Sequence, residues 1–341
     1  MTASVNGRPQ SAAAPGNPML ATLSSRRDFD EEWIFERKLD GVRVLATRTR
    51  TEGEPRLLSR SGKPLNSTYP EIAEALAAQD RRDFTVDGEM VALWHGRTDF
   101  ARLQQRMQLT DPAAVRASRV RVTYYLFDLL RLDGHDTTRL PLRTRKRLLR
   151  DAFAFGPPLR FTPHRNRYRS RDRSRDASSN DSLLDQACGR GWEGLIAKRA
   201  DAPYVHRRST DWLKLKCSGG QEFVIAGFTE PAGRRVGFGA LLLGYYQDGR
   251  LRYAGKVGTG YDTATLRGLR RRLDGLERQR SPFADAEVRG RAAHWVRPEL
   301  VAQVAFTEWT AAGLLRHPRY LGLRDDKAAR DVVREQPAGR S

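Results

Sequence analysis

Lys38 stands in the run Glu36-Arg37-Lys38-Leu39-Asp40-Gly41-Val42-Arg43. Apolar Trp33, Ile34 and Phe35 lead into it, and Val42, Val44 and Leu45 resume the pattern after Gly41. This alternation predicts a lysine at a strand–turn–strand junction, with Gly41 supplying the turn. A lysine is nucleophilic only when neutral, so a reactive Lys38 needs burial, neighbouring cations such as Arg43, or a bound metal to lower its pKa. On this run alone an ordinary charged surface turn fits as well.

Other clusters share a phosphate-handling composition. Ser59-Arg60-Ser61-Gly62-Lys63 sets two cations and two hydroxyls around a glycine turn, suited to phosphate oxygens. Asp87-Gly88-Glu89 lies inside an apolar strand, and Tyr124-Tyr125-Leu126-Phe127-Asp128 carries an aromatic and an acid in another. Trp192-Glu193-Gly194 puts a carboxylate before an apolar strand that ends in Lys198 and Arg199. Trp212-Leu213-Lys214-Leu215-Lys216 alternates, so both ammonium groups point to one side of a strand. Singly, each has a plain structural reading: Phe127 as core, the lysines as the wet face of an edge strand, Glu89 and Glu193 as partners of nearby arginines.

The elements that must position these residues fall into two blocks. From residue 18 to about 216, strands are expected at 33–38, 42–47, 56–59, 84–93, 120–129 and 194–198, and helices at 69–78, 100–108, 143–152 and 181–189. Asp99 and Asp181 are N-cap candidates. A second block from Ser218-Gly219-Gly220 is strand-rich, at 222–228, 240–246 and 251–257, with Gln247-Asp248-Gly249-Arg250 as a hairpin turn. A helix at 263–278 and strands at 294–296 and 300–309 complete it, the pattern of a small OB-type barrel. The expected division is a disordered leader at 1–18, a first domain at 19–217, an OB domain at 218–332 and a tail at 333–341. An Arg-, Ser- and Asp-rich insertion at about 162–182 lacks apolar periodicity and reads as a disordered surface loop.

Composition narrows the class. The 341 residues allow two real cores, 39% are hydrophobic, and no apolar run approaches a membrane span. A formal net charge of +20, mostly arginine, favours a polyanionic partner, nucleic acid first. Cys188 and Cys217 are the only cysteines, which suits a reducing compartment and excludes a cysteine-built zinc site. No secretory leader is visible, so a cytoplasmic location is expected.

Taken in order, these motifs resemble the signature of the covalent nucleotidyltransferases: ATP-dependent DNA ligases, with RNA ligases and capping enzymes as cousins. His294-Trp295-Val296-Arg297-Pro298-Glu299, Phe306-Thr307-Glu308-Trp309 and Leu321-Gly322-Leu323-Arg324-Asp325-Asp326-Lys327 extend the likeness to the ligase module of bacterial end-joining ligases. The implied fold is α+β: an ATP-grasp-like adenylation domain of antiparallel sheets with flanking helices, followed by an all-β OB-fold barrel.

The resemblance also implies roles. Lys38 would attack the α-phosphate of ATP and carry AMP. Glu36 and the Arg37 backbone would read adenine, and Phe127 would stack on it. Arg43 and Glu89 would hold the ribose. Arg60 would contact phosphate, of AMP or of the nick, and Arg106 would face nucleotide. Lys214 and Lys216 would neutralise the α-phosphate. Arg324 and Lys327 would reach the β- and γ-phosphates when the barrel swings over the site. Glu193, with Asp40 and Glu89, would organise a divalent metal, and carboxylate donors without thiols favour Mg²⁺ or Mn²⁺.

ATP is expected over NAD, because the NAD-dependent relatives resemble a longer chain with four zinc cysteines. The expected partner is nicked or broken duplex DNA, with a Ku-like end-binding protein as a further candidate, and the expected form is a monomer without membrane attachment. RNA ligation or capping, and a decayed nucleic-acid-binding protein, are the competing functions.

Overall fold

In this computed structural model the chain is described for residues 16–166, 183–217, 220–231, 233, 235–284 and 293–335. Most of the leader, most of the Arg-rich insertion, the Asp181 cap, Ser218-Gly219 and the end of the tail lie outside the described residues.

Two sheets build the N-terminal part. One has five strands in the order Leu20–Leu23, Arg208–Lys216, Gly194–Arg199, Trp33–Arg37, His164–Arg165. The other runs Arg56–Ser59, Val42–Arg48, Phe84–Trp94, Val122–Leu132, His135–Asp136, with Arg97–Thr98 and Leu159–Phe161 attached. Pairing is antiparallel except between Leu20–Leu23 and Arg208–Lys216 and between Val122–Leu132 and Leu159–Phe161, which are parallel. Period-2 alternation sorts each strand. Trp33, Phe35, Leu195, Ala197, Leu213 and Leu215 pack with Leu183, Leu184 and Ala187 of the helix Leu183–Gly189. The opposite side chains, Glu36, Ile196, Lys198, Trp212, Lys214 and Lys216, are left to face a cleft. In the second sheet Val44, Ala46, Val86, Tyr124 and Leu126 form a core with the helices Pro70–Ala77, Phe100–Met107 and Leu142–Ala152, leaving Arg43, Glu89 and Phe127 on the cleft.

Local chemistry sets the boundaries. Asp99 caps its helix, accepting from Arg102 N–H at 3.0 Å. Gly41 is needed for a reason other than turn geometry: a Cβ there would lie 2.1 Å from the Met90 carbonyl oxygen of the neighbouring strand.

The C-terminal sheet has seven strands and one helix, Thr263–Asp274, around a large apolar core. Its hairpin turn takes Asp248 and Gly249 to φ of 51° and 72°, the left-handed pair a tight hairpin requires. The helix stops at Asp274, short of the expected 278, because Gly275 ends it and Glu277–Arg278 pairs with Ala293–Val296. The strand expected at 300–309 is Val301–Ala305, sandwiched between Gly220–Thr229 and Arg319–Leu323. The helix Pro112–Ala117 and the strands Leu20–Leu23 and Arg319–Leu323 were not anticipated by the pattern reading.

Sparse cysteines suit a reducing compartment, yet in the structure Cys188 and Cys217 are joined in a disulfide, with Cα atoms 5.3 Å apart. It ties the end of the helix Leu183–Gly189 to the residue after Lys216. No described helix is long and apolar enough to cross a membrane.

Candidate active site

Between the two N-terminal sheets lies a pocket lined by Phe127, Ile196, Trp212 and Thr162 and by the side chains of Glu36, Arg43, Glu89 and Lys198. Cross-strand register makes this assembly: Ile196 sits between Glu36 and Lys214, and Lys198 pairs with Trp212. Phe127 is only 7% exposed and meets Trp212 edge-on, with centroids 6.0 Å apart. The Lys198 ammonium lies 4.2 Å from the Phe127 ring and 4.0 Å from Trp212.

Glu36 is buried between two lysines, Lys146 Nζ at 2.6 Å from Oε1 and Lys198 Nζ at 2.7 Å from Oε2. Burial pushes its carboxyl up, but the two ammonium groups outweigh burial and hold it below the ordinary value. Burial and nearby Lys146 bring Lys198 down to about 8, against the pull of Glu36. Lys146 and Lys198 were assigned no role on sequence grounds.

Arg43 is clamped from behind. It pairs with both oxygens of fully buried Asp87, Nη2 to Oδ2 at 2.6 Å, and donates to the Met19 carbonyl at 3.1 Å. The Tyr204 hydroxyl donates to the same Asp87 oxygen at 2.6 Å. Arg43 Cζ therefore stays 4.5 Å over Phe127, at the pocket wall shared with Glu89. Asp87 and Tyr204 are the supports that the sequence reading missed. Only the i, i+2 spacing of Asp87 and Glu89 hinted that they share a face.

A second, polar pocket adjoins the first. Lys38, Asp40, Glu89, Glu193, Lys214 and Lys216 meet Glu222, Gln303, Arg324 and Glu335 of the C-terminal part there. Lys38 lines both pockets. Its Nζ is 2.5 Å from Glu193 Oε2, and its backbone N–H donates to the Gly194 carbonyl at 2.9 Å. Burial alone would push the Lys38 ammonium down; Glu193, Asp40 and Glu89 outweigh it and raise the pKa. This corrects the expectation that neighbours as they stand depress it. Arg43 is committed to Asp87, while three carboxylates converge on Lys38.

Burial opposes the ionisation of two of those carboxylates. Burial and Glu193 push Asp40 up to about 6, and burial pushes Glu89 up to about 7 against Arg43, Arg324 and Lys38. Among the described residues no three such side chains form a ready-made metal cage. The donor set fits a hard divalent ion that takes one or two carboxylates and completes its shell with phosphate oxygens and water.

The remaining predicted residues divide. The Arg37 side chain turns to Trp192, Cζ 5.0 Å from the ring, while the residue lines the first pocket. Arg324 reaches the polar pocket and is braced by Asp326, with Nη2 to Oδ2 at 2.8 Å. Its Cζ lies 4.9 Å over Phe100. Lys327 lies behind, on Glu222 at 3.1 Å. Arg60 lines neither pocket; burial lowers its pKa, and Glu222 and Asp331 of the C-terminal part oppose that.

Arg106 does not face the cleft. It is 2% exposed and donates to Glu71 at 3.0 and 3.1 Å, because the helical period puts Phe100, Leu103 and Arg106 on one inward face. Asp128 is likewise structural, bonded by Arg145 at 2.7 and 2.9 Å with both side chains fully buried.

Two family models match the chain: the ATP dependent DNA ligase domain over residues 18–216 and the ATP dependent DNA ligase C terminal region over 234–327. A multifunctional non-homologous end joining protein of Pseudomonas aeruginosa is 39% identical over 332 residues, covering 94% of this chain and 37% of that protein. A multifunctional non-homologous end joining DNA repair protein of Mycobacterium tuberculosis is 37% identical over 329 residues, covering 93% of this chain and 40% of that protein. The chain thus spans about two fifths of these relatives, 37% and 40% of their lengths. A solved mycobacterial DNA ligase D complexed with ATP and MES is similar with a TM-score of 0.60 and 34% identity, over 94% of this chain and 98% of that one.

Proposed function

This chain belongs to the ATP-dependent DNA ligase family, and we propose that it seals 5′-phosphate/3′-hydroxyl breaks in duplex DNA through an AMP-carrying Lys38. The observation that carries this is the position of Lys38, on the wall shared by a pocket walled by Phe127 and Trp212 and a polar pocket lined by Lys214, Lys216 and Arg324. A nucleoside phosphate bridging the two pockets brings its α-phosphorus to the one lysine they share.

The Lys38 lone pair forms the new N–P bond, the bond to the β-phosphate breaks, and pyrophosphate leaves with that electron pair. The proton lost by the ammonium faces the Glu193 carboxylate. A 5′-phosphate oxygen of DNA then takes AMP from Lys38, and the 3′-hydroxyl displaces AMP to close the backbone. Such transfers depend on in-line placement and on cations around the phosphoryl oxygens, which Lys214, Lys216 and Arg324 supply.

One or two of the carboxylates Glu193, Asp40 and Glu89 would hold Mg²⁺ or Mn²⁺, which would neutralise phosphate charge and weaken the carboxylates' hold on the Lys38 proton. In the nucleotide pocket, Glu36 acts together with Lys146 and Lys198 as one buried charged unit at the base edge. The likeness to end-joining proteins supports a Ku-like end-binding protein as partner, and the +20 charge supports direct engagement of duplex DNA.

The test is incubation of purified protein with α-labelled ATP, divalent metal and a nicked duplex. Labelled protein followed by sealed product is expected, with no labelling from GTP. Labelling from GTP without sealing would move the reading to capping-type chemistry.

A further inference from the structure

The lysine pair read as the α-phosphate site is already engaged by the protein itself. Glu335 places one carboxylate oxygen on Lys214 and the other 2.9 Å from Lys216 Nζ. It is 14% exposed and lies 121 and 119 residues along the chain from its partners, so the contact is tertiary and crosses from the C-terminal part to the N-terminal sheet. Burial pushes the Glu335 carboxyl up, but Lys214 and Lys216 outweigh it and hold it at about 2.

The segment bearing Glu335 is fixed to the C-terminal sheet. Tyr246 N–H donates to the Val332 carbonyl at 2.7 Å, and Val332 is fully buried. Gln221 clasps the next residues, donating to the Val333 carbonyl at 2.9 Å and accepting from Glu335 N–H at 3.0 Å. Arg334 lies 4.3 Å over Trp309. Glu335 therefore moves with the C-terminal sheet rather than as a loose end.

We propose that Glu335 is a built-in phosphate surrogate: its carboxylate occupies the Lys214–Lys216 pair that the nucleotide phosphates require, so ATP binds only by displacing it. A carboxylate and a phosphate offer these ammonium groups the same two-oxygen contact, and both anions cannot share the pair without strong repulsion. Displacement also removes a tie between the C-terminal sheet and the nucleotide domain, linking nucleotide arrival to release of the closed arrangement. The inference rests on the proposed function for its identification of the pair as a phosphate site.

The experiment measures binding rather than turnover. ATP and, separately, inorganic pyrophosphate are titrated calorimetrically into the wild-type chain and Glu335→Gln, with a chelator present to prevent adenylation. Removing a competing state should tighten both ligands on the order of ten-fold, within the usual range of coupling between two sites. A chain ending at Val333 should show the same gain and decides the matter if the glutamine variant folds poorly. Unchanged or weaker binding in these variants overturns the inference and marks Glu335 as a structural clasp. Adenylation of the wild-type chain in a parallel assay judges the proposed function separately.

Discussion

Lys38 and Glu193 face each other at 2.5 Å in the wall of the polar pocket, one just after the strand Trp33–Arg37 and the other just before Gly194–Arg199. Both side chains keep about a fifth to a quarter of their surface exposed, 20% and 24%, so the pair contributes little to stability. Glu193→Ala should therefore leave the melting temperature within about 1 °C, a shift under about 1 kcal/mol for a chain of this size. Adenylation should fall at least ten-fold. A large melting shift with normal adenylation would make Glu193 a fold residue.

Phe127→Ala should raise the ATP concentration needed for adenylation more than it slows sealing of a pre-adenylated nick. Loss of a base–aromatic stack is worth about 1–3 kcal/mol. Steady-state adenylation and single-turnover sealing separate the two. Unaltered ATP dependence with a lower melting temperature would place Phe127 in the core alone.

Glu36 is the negative charge buried between Lys146 and Lys198. Glu36→Gln should destabilise the chain by about 3–5 kcal/mol, the cost of leaving buried charges uncompensated. The folded-state pKa of Glu36 is lowered, so its contribution is complete above the ordinary glutamate value and is lost as pH falls through the lowered value. The gap in denaturation midpoint between wild type and variant should thus narrow on acidification. A constant gap would mean the carboxylate charge is not what stabilises the site.

Arg324→Ala should cripple AMP transfer from ATP and spare sealing of a pre-adenylated nick, because Arg324 lines the polar pocket with Lys38. Lys327→Ala should have the same direction but a smaller effect, since Lys327 acts through Glu222. Equal loss of both steps would point to a DNA-binding role for this segment.

Much of the site was legible because strand alternation is local. Lys214 and Lys216 sort to one face of their strand, and Arg43 to the face opposite its buried neighbours Val42 and Val44, from period alone. The small barrel followed from runs of the same kind, whereas the α+β adenylation fold came from the family resemblance. What could not be read were partners set by tertiary approach: Lys146 on Glu36, 110 residues away, Tyr204 on Asp87, 117 away, and Glu335 on Lys214. Arg106 shows the opposite failure. A basic residue in a ligase-like motif suggested nucleotide, whereas its helical position aligned with Phe100 and Leu103 already pointed inward. The state of Lys38 also lay beyond sequence, since it depends on three carboxylates converging in space.

The central claim is that Lys38 is the nucleophile. The most direct measurement is mass mapping of the adduct after incubation with ATP and divalent metal, for the wild-type chain and Lys38→Ala. The account predicts one AMP, attached to the peptide containing Lys38, none on Lys38→Ala, and unchanged affinity of that variant for nicked duplex. An AMP adduct on Lys63, Lys198 or any other residue of the variant would contradict it.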